Sequence, residues 1–249
     1  MSELPGRPGS GAATQHLADF RRVTAWVFDL DNTLYPRHTN IYMQVDRRIH
    51  DYVQRTLGLP FEEAQRLQKD YYRRYGTTLR GLMIEHGVTP DDFLEYVHDI
   101  DHSSVEANPT LGDAIARLPG RKFILTNGSR RHAEKVAERL GITHHFEDIF
   151  DIVWSELVPK PHRETYDRFL AATGVKPEQA AMFEDLSRNL EVPHALGMAT
   201  VLVVPEGTRA FLTEEWELEG RDAPWVEHVT DDLGQFLGSV VDMIGRKSV

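Results

Sequence analysis

Two hydrophobic rhythms divide the chain. From Val23 to Leu30 the segment VTAWVFDL is rich in β-branched and aromatic residues and short enough to be a buried strand. From Ile41 the rhythm changes: Ile41, Val45, Ile49, Tyr52, Val53 and Leu57 recur at helical spacing, and further helices are expected over 61–75, 78–86 and 90–100. Gly58-Leu59-Pro60, Gly76, Gly87 and Thr89-Pro90 punctuate this stretch as turns and helix starts. After Asn108-Pro109 strands and helices alternate. The pattern predicts a helix near 110–118, a strand RKFILT, a helix near 130–140, a strand FDIVW, a helix near 163–173, a strand AAMFE and, after a short helix, a last strand ATVLVV.

Such alternation implies parallel strands joined by crossover helices, with both faces of the sheet covered. The expected fold class is therefore α/β: a doubly wound, Rossmann-like parallel sheet interrupted after its first strand by an all-helical insert. Residues 23–36 and 108–249 form the core on this reading and 37–107 the insert, while residues 1–22 form a flexible tail without the apolar run of a signal peptide. No internal repeat is present.

Composition narrows the chemistry. A 41% hydrophobic content is that of an ordinary folded protein, and no stretch approaches the length of a membrane helix. With 28 Lys+Arg against 39 Asp+Glu, a net charge of -11 gives no general attraction to nucleic-acid polymers or anionic membranes. A small anionic partner is compatible with that charge, because a bound cation and a few donors reverse the potential inside one cleft. The absence of cysteine excludes disulfides, thiolate metal sites and a cysteine nucleophile. A cytoplasmic enzyme built on oxygen and nitrogen groups is expected.

Ligands of open parallel sheets gather at the carboxyl ends of the strands. Four strand exits carry reactive groups: Asp29, Asp31 and Thr33; Thr126, Asn127 and Gly128; Lys160; and Glu184 with Asp185. Carboxylates suit a hard cation such as Mg2+, and an ammonium, a hydroxyl and backbone amides suit phosphate. Phosphoryl transfer depends mostly on positioning and charge stabilisation, so the set is adequate for it. Two neighbouring acids, Asp29 and Asp31, divide naturally into nucleophile and acid/base.

The string VFDLDNTLYP, followed in order by TNG, Lys160-Pro161 and FEDLSRN, resembles the haloacid dehalogenase-like hydrolases across nearly the whole chain. The resemblance implies a phosphatase with Asp29 as nucleophile and Asp31 as acid/base. It implies Thr126 and Lys160 as phosphate ligands, with Asn127 and Gly128 beside them, and Asp29, Asp185 and the Asp31 carbonyl as magnesium ligands. The fourth motif departs from many relatives by placing Asn189 where they carry a second aspartate. Asn189 could orient Asp185 or a metal-bound water, and Glu184 could help hold the cation. Thr33 reads equally as a brace for its turn or as a phosphate contact, and His132, near the start of the helix after TNGSRR, reads as a phosphate neighbour or, more commonly, as a surface histidine.

Within the insert, TLYP, IYMQVDRRI, YYRRYGTTLRGL and DDFLEYVHDID resemble the pyrimidine 5′-nucleotidase branch of that superfamily, which implies a nucleoside monophosphate such as UMP or CMP as substrate. Tyr71, Tyr72 and Tyr75 could offer aromatic faces to a base and Arg80 a cation to phosphate or a base carbonyl, the leading cap candidates being Tyr75 and Arg80. The competing readings are a sugar-phosphate phosphatase or phosphomutase and a non-enzymatic phosphoester-binding protein. A dehalogenase needs neither Asp31 nor Asp185. A phosphonate hydrolase needs a cap lysine, and Lys69, the single one between 37 and 107, has no marked apolar setting.

Overall fold

The computed structural model describes residues 17–205 and 220–245. Six parallel strands form one sheet: β1 (Ala25–Phe28), β2 (Arg121–Leu125), β3 (Asp148–Phe150), β4 (Ala180–Glu184), β5 (Ala199–Val203) and β6 (His228–Thr230), in the spatial order β3-β2-β1-β4-β5-β6. The order reverses direction at β1, which pairs with β2 on one side and β4 on the other. That is the switch point at which a doubly wound sheet opens a crevice beyond its strand ends.

Helices α1 (Ile41–Leu57), α2 (Phe61–Tyr75), α3 (Thr78–His86) and α4 (Pro90–Val97) follow β1. They enclose an apolar cluster of their own, including Val53, Ala64, Tyr71, Leu79, Leu82, Phe93 and Val97, which Ile152 of the core also joins. At Gly81 the α2 and α3 helices approach closely: a Cβ there would lie 2.4 Å from Cγ of Tyr71. The chain then continues through α5 (Pro109–Arg117), α6 (Arg130–Leu140), α7 (Arg163–Thr173), α8 (Glu191–Ala195) and α9 (Leu233–Gly245).

Strand residues alternate between two cores because successive side chains leave opposite faces of a strand. Trp26, Phe28, Ile124, Phe183 and Val201 pack on one side with Leu111, Val136 and Leu237; Val27, Phe123, Leu125, Met182 and Leu202 pack on the other with Tyr166 and Phe169.

Three expectations need correction. The predicted strand FDIVW lies instead at Asp148–Phe150, and Asp151 turns the chain. Its carboxylate accepts from the amides of Arg130 and Trp154, both at 2.8 Å, which caps α6 and bends the backbone out of the ladder. ATVLVV is not the last strand: the short, largely polar β6 and helix α9 follow. In α9 three glycines dilute a genuine apolar stripe, Leu233, Leu237, Val240 and Met243. Finally, the tail assigned to residues 1–22 is too long, since Leu17–Arg22 form a 3-10 helix and Phe20 is buried in the core. Residues 1–16 lie outside the described residues.

Candidate active site

The site begins where β1 ends. The amide of Asp29 still pairs with Phe183 O at 2.9 Å, so the strand ladder fixes the backbone of the first carboxylate. Asn32 then adopts a left-handed conformation, φ 58°, and the chain folds back until the amides of Thr33 and Leu34 reach Leu30 O at 3.3 and 3.0 Å. This tight turn places Thr33 Oγ1 3.1 Å from Asp29 Oδ2, so Thr33 braces the carboxylate. Asp31 faces the other way. Its Oδ1 accepts from the Tyr35 hydroxyl and from His132 Nε2, the latter at 2.9 Å.

Lys160 is buried and its ammonium makes three bonds: to Asp29 Oδ1 at 2.7 Å, Glu184 Oε1 at 2.6 Å and Leu125 O at 2.7 Å. Its backbone is gripped by the Asn127 side chain, which donates to Lys160 O at 3.1 Å and accepts from Lys160 N at 2.8 Å. The Asn127 amide expected near phosphate is thus committed to holding the lysine. Glu184 is equally committed: besides Lys160, Oε1 accepts from Asn189 at 2.8 Å and Oε2 from the Leu186 amide at 3.1 Å. The Asn189 side-chain amide is thus committed to Glu184.

Electrostatics follows from this crowding. Burial pushes the Asp29 carboxyl well up; Lys160 opposes this, and Glu184, Asp185 and Asp31 reinforce it. Burial alone would lower the Lys160 ammonium, but Asp29 and Glu184 more than reverse the effect and hold it protonated. Asp31 behaves differently: burial pushes it up, yet His132, Tyr35 and His98 bring it down to about 2.

Asp29, Glu184 and Asp185 bring one ligand oxygen each within 4.8 Å of one another, all buried. Each of the three already accepts hydrogen bonds from protein donors, and together they form the buried carboxylate cluster suited to a hard cation. Asp185 Oδ2 accepts from Arg37 at 3.0 Å and from Asn32 at 3.3 Å, two donors that an anionic oxygen attracts and a cation would compete with.

Thr126 is buried at the end of β2 and its Oγ1 accepts from the Gly128 amide at 2.9 Å, which closes the loop over the same crevice. Gly128 is where two motifs meet: a Cβ there would stand 3.3 Å from Thr126 Oγ1, 3.5 Å from the His132 ring and 3.6 Å from Asp31 Oδ2.

The two leading cap candidates have other partners. The Tyr75 hydroxyl bonds Glu85 and Arg74 within the cap, and Arg80 donates to Leu157 O at 3.1 Å, tying α3 to the loop after β3. Tyr71 is buried beneath α3 and bonds His86 at 2.7 Å. Of these three cap tyrosines, Tyr72 is the one that feels the Asp185 and Glu184 charges. Burial raises its hydroxyl, the Asp185 and Glu184 charges add to this, and the Arg188 guanidinium lies 4.3 Å over its ring. A depression of about 690 Å3 lined by Leu57, Leu59, Glu63, Arg66, Leu67, Asp70, Tyr71 and His86 belongs to the cap alone and holds none of these core groups.

Sequence reasoning missed Tyr35, Arg37 and Arg188. A tyrosine and an arginine shortly after the first motif were visible signals for two of them. His132 is not the surface histidine of the commoner reading: it is 1% exposed, and its place on the first turn of the helix after TNG brings it to Asp31.

Comparison with known proteins bears on the family and the fold. The model of the haloacid dehalogenase-like hydrolases matches residues 23–197. Phosphate metabolism protein 8 of Saccharomyces cerevisiae is 24% identical over 234 residues, covering 87% of this chain and 70% of that protein. Among solved structures, the L-2-haloacid dehalogenase of Xanthobacter autotrophicus shares 17% identity at a TM-score of 0.54, covering 88% of this chain and 98% of its own. A HAD phosphatase from Thermococcus onnurineus also shares 17% at a TM-score of 0.54, covering 86% and 96%. A HAD family hydrolase from Deinococcus radiodurans, solved with phosphate and sodium, shares 19% at 0.52, covering 90% and 97%. At these identities the structural likeness establishes the fold.

Proposed function

The chain belongs to the haloacid dehalogenase-like hydrolases, and from that premise we propose that it hydrolyses phosphomonoesters of small metabolites through an aspartyl-phosphate on Asp29. One arrangement carries this reading: Asp29 and Asp31, two residues apart at the end of β1, stand with Lys160 and Asp185 around one crevice. An acid/base partner and a second buried carboxylate favour phosphoryl transfer over dehalogenation.

An Asp29 oxygen attacks phosphorus while the bond to the leaving oxygen breaks, and the proton on Asp31 Oδ2 passes to that oxygen. Asp31 acquires that proton as the phosphoryl anion enters, since a like charge favours the neutral carboxyl. Water then attacks the acyl phosphate and gives its proton to Asp31, releasing inorganic phosphate and restoring Asp29. Lys160 holds Asp29 in place and offsets phosphoryl charge; Thr126 and the Gly128 loop bind its oxygens. Asp29, Asp185 and the Asp31 carbonyl would hold Mg2+, which when bound neutralises charge on the phosphoryl oxygens.

The helical segment 37–107 acts as the lid, and Tyr72 and Arg188 are the residues placed to meet the leaving group. A nucleoside 5′-monophosphate such as UMP or CMP is the proposed substrate. It rests on the cap's resemblance to pyrimidine 5′-nucleotidases and on an aromatic face with an arginine beside the site.

The deciding experiment is a phosphate-release screen over nucleotides, sugar phosphates and small phosphoesters, with and without magnesium, using wild type and Asp29→Asn. Magnesium-dependent release by the wild type alone is expected. No release from any ester would end the phosphatase reading, and preference for sugar phosphates over UMP and CMP would end the nucleotidase refinement alone. Isomerised sugar phosphate in place of free phosphate would identify a mutase.

A further inference from the structure

A general acid/base must present one oxygen at one angle, and Asp31 has two. Its Oδ1 takes both donors, Tyr35 and His132, while Oδ2 takes neither and lies on the side of Gly128 and Thr126, where the phosphoryl oxygens are expected. Because an ionised carboxylate only accepts, His132 Nε2 carries the proton of this bond. His132 is 1% exposed and sits on the first turn of α6, with its amide capped by Ser129 Oγ at 3.4 Å.

Both ring nitrogens and one face of the ring are engaged. His132 Nδ1 pairs with His102 Nε2 at 3.1 Å, and the His98 ring stacks on it with centroids 4.8 Å apart and planes 20° from parallel. His98 is itself tied, its Nδ1 lying 3.1 Å from both Leu94 O and Ser129 Oγ. His98 ends α4 and His102 lies in the connection that follows, so two residues at the exit of the helical insert grip a core residue that grips Asp31.

Resting on the phosphatase reading above, we propose that His132 is the positioning residue for Asp31, locking Oδ1 so that Oδ2 alone exchanges protons with the leaving oxygen. The insert, through His98 and His102, keeps His132 in that position. A histidine with both nitrogens bonded, four residues beyond Gly128 of the phosphate loop, aims a carboxylate as well as filling a core.

The test compares two esters in single turnover at fixed magnesium: p-nitrophenyl phosphate, whose leaving group needs little protonation, and UMP or the best alkyl ester from the release screen, whose alcohol needs it. His132→Ala and the ring-retaining His132→Phe are expected to slow alkyl-ester cleavage about 10- to 100-fold, a part of the range for general acid catalysis. p-Nitrophenyl phosphate should slow less than about threefold, and KM for either ester should change less than about threefold, because binding is untouched. His132→Gln, with an amide donor in reach of Oδ1, should recover most of the loss. Equal slowing of both esters, no slowing, or no recovery by glutamine overturns the proposal while leaving the phosphatase reading intact. A wild type inactive on every ester overturns both. Far-UV circular dichroism checks the fold, and His132→Phe decides the matter should the alanine variant not fold.

Discussion

Replacing Lys160 by methionine is the sharpest test of how this site is held together. The side chain keeps its length and apolar stem but loses an ammonium that is 1% exposed and bonded to Asp29, Glu184 and Leu125 O. Two buried carboxylates then lie near each other with no cation between them. Removing one partner of a buried ion pair costs about 3–5 kcal/mol, and the orphaned carbonyl lies within that range of effects. Protonation of Asp29, already pushed up by burial, limits the loss to this range. For a chain of this size each kcal/mol moves Tm by roughly 2–4 °C, so a fall of about 6–20 °C is expected.

Glu184→Gln supplies the second arm. It keeps an oxygen that can face Asn189 but removes the charge that Lys160 answers. In the Lys160→Met background it should relieve repulsion, so the double variant should lose about 1–3 kcal/mol less than the sum of the singles. Urea unfolding followed by circular dichroism at pH 7.5, without magnesium, measures all four corners. Additive losses, or a Lys160→Met variant within about 1 kcal/mol of wild type, would refute the claim that one buried ammonium organises both carboxylates.

Other consequences are separable. Gly128→Ala pushes a methyl into the space between Thr126 Oγ1, His132 and Asp31 Oδ2, so kcat should fall roughly tenfold with little change in Tm; unchanged kcat would show the loop has slack. Magnesium at 100 times its Kd should stabilise the wild type by about 2.7 kcal/mol in thermal melts and Asp185→Asn much less; equal shifts would remove Asp185 from the cation site. Acid should unfold the protein early. Burial holds His98 at about 3 and His102 at about 4, below the roughly 6.5 of an unfolded chain, so the unfolded state binds more protons and stability falls as pH drops below about 6.5. Asp31 adds a further loss between about pH 4 and 2, and a urea midpoint unchanged from pH 7.5 to 5 would contradict the neutral buried histidines. Gly81→Ala sets a methyl 2.4 Å from the Tyr71 ring and should destabilise the protein by about 1–3 kcal/mol, read by thermal melting.

Much of this was legible without coordinates because its signals are local. Strand β1, the helices at 61–75, 78–86, 130–140 and 163–173, and the residues at the strand exits follow from hydrophobic period and from motif strings. The errors came where a local signal was overruled or diluted. Asp151 interrupted an apolar run by capping a neighbouring helix, and glycines in α9 obscured its buried stripe. In the cap, Tyr71, Tyr72 and Tyr75 look alike in sequence. Only helix packing sent Tyr71 inward, Tyr75 to Glu85 and Tyr72 toward Arg188.

The sequence by itself determined the chemistry that leaves β1, β2 and β4, since a parallel sheet delivers its strand ends to one edge whatever the loops do. It brought Asp29, Asp31 and Asp185 to that edge on this account, and Lys160 through the order of the motif strings. Tertiary structure alone decided what each group does for the others: Glu184 and Asn127 hold Lys160, Asn189 holds Glu184, Thr33 braces Asp29, and His132 turns Asp31. Those assignments depend on angles and distances between residues up to 101 positions apart, which no periodicity along the chain records.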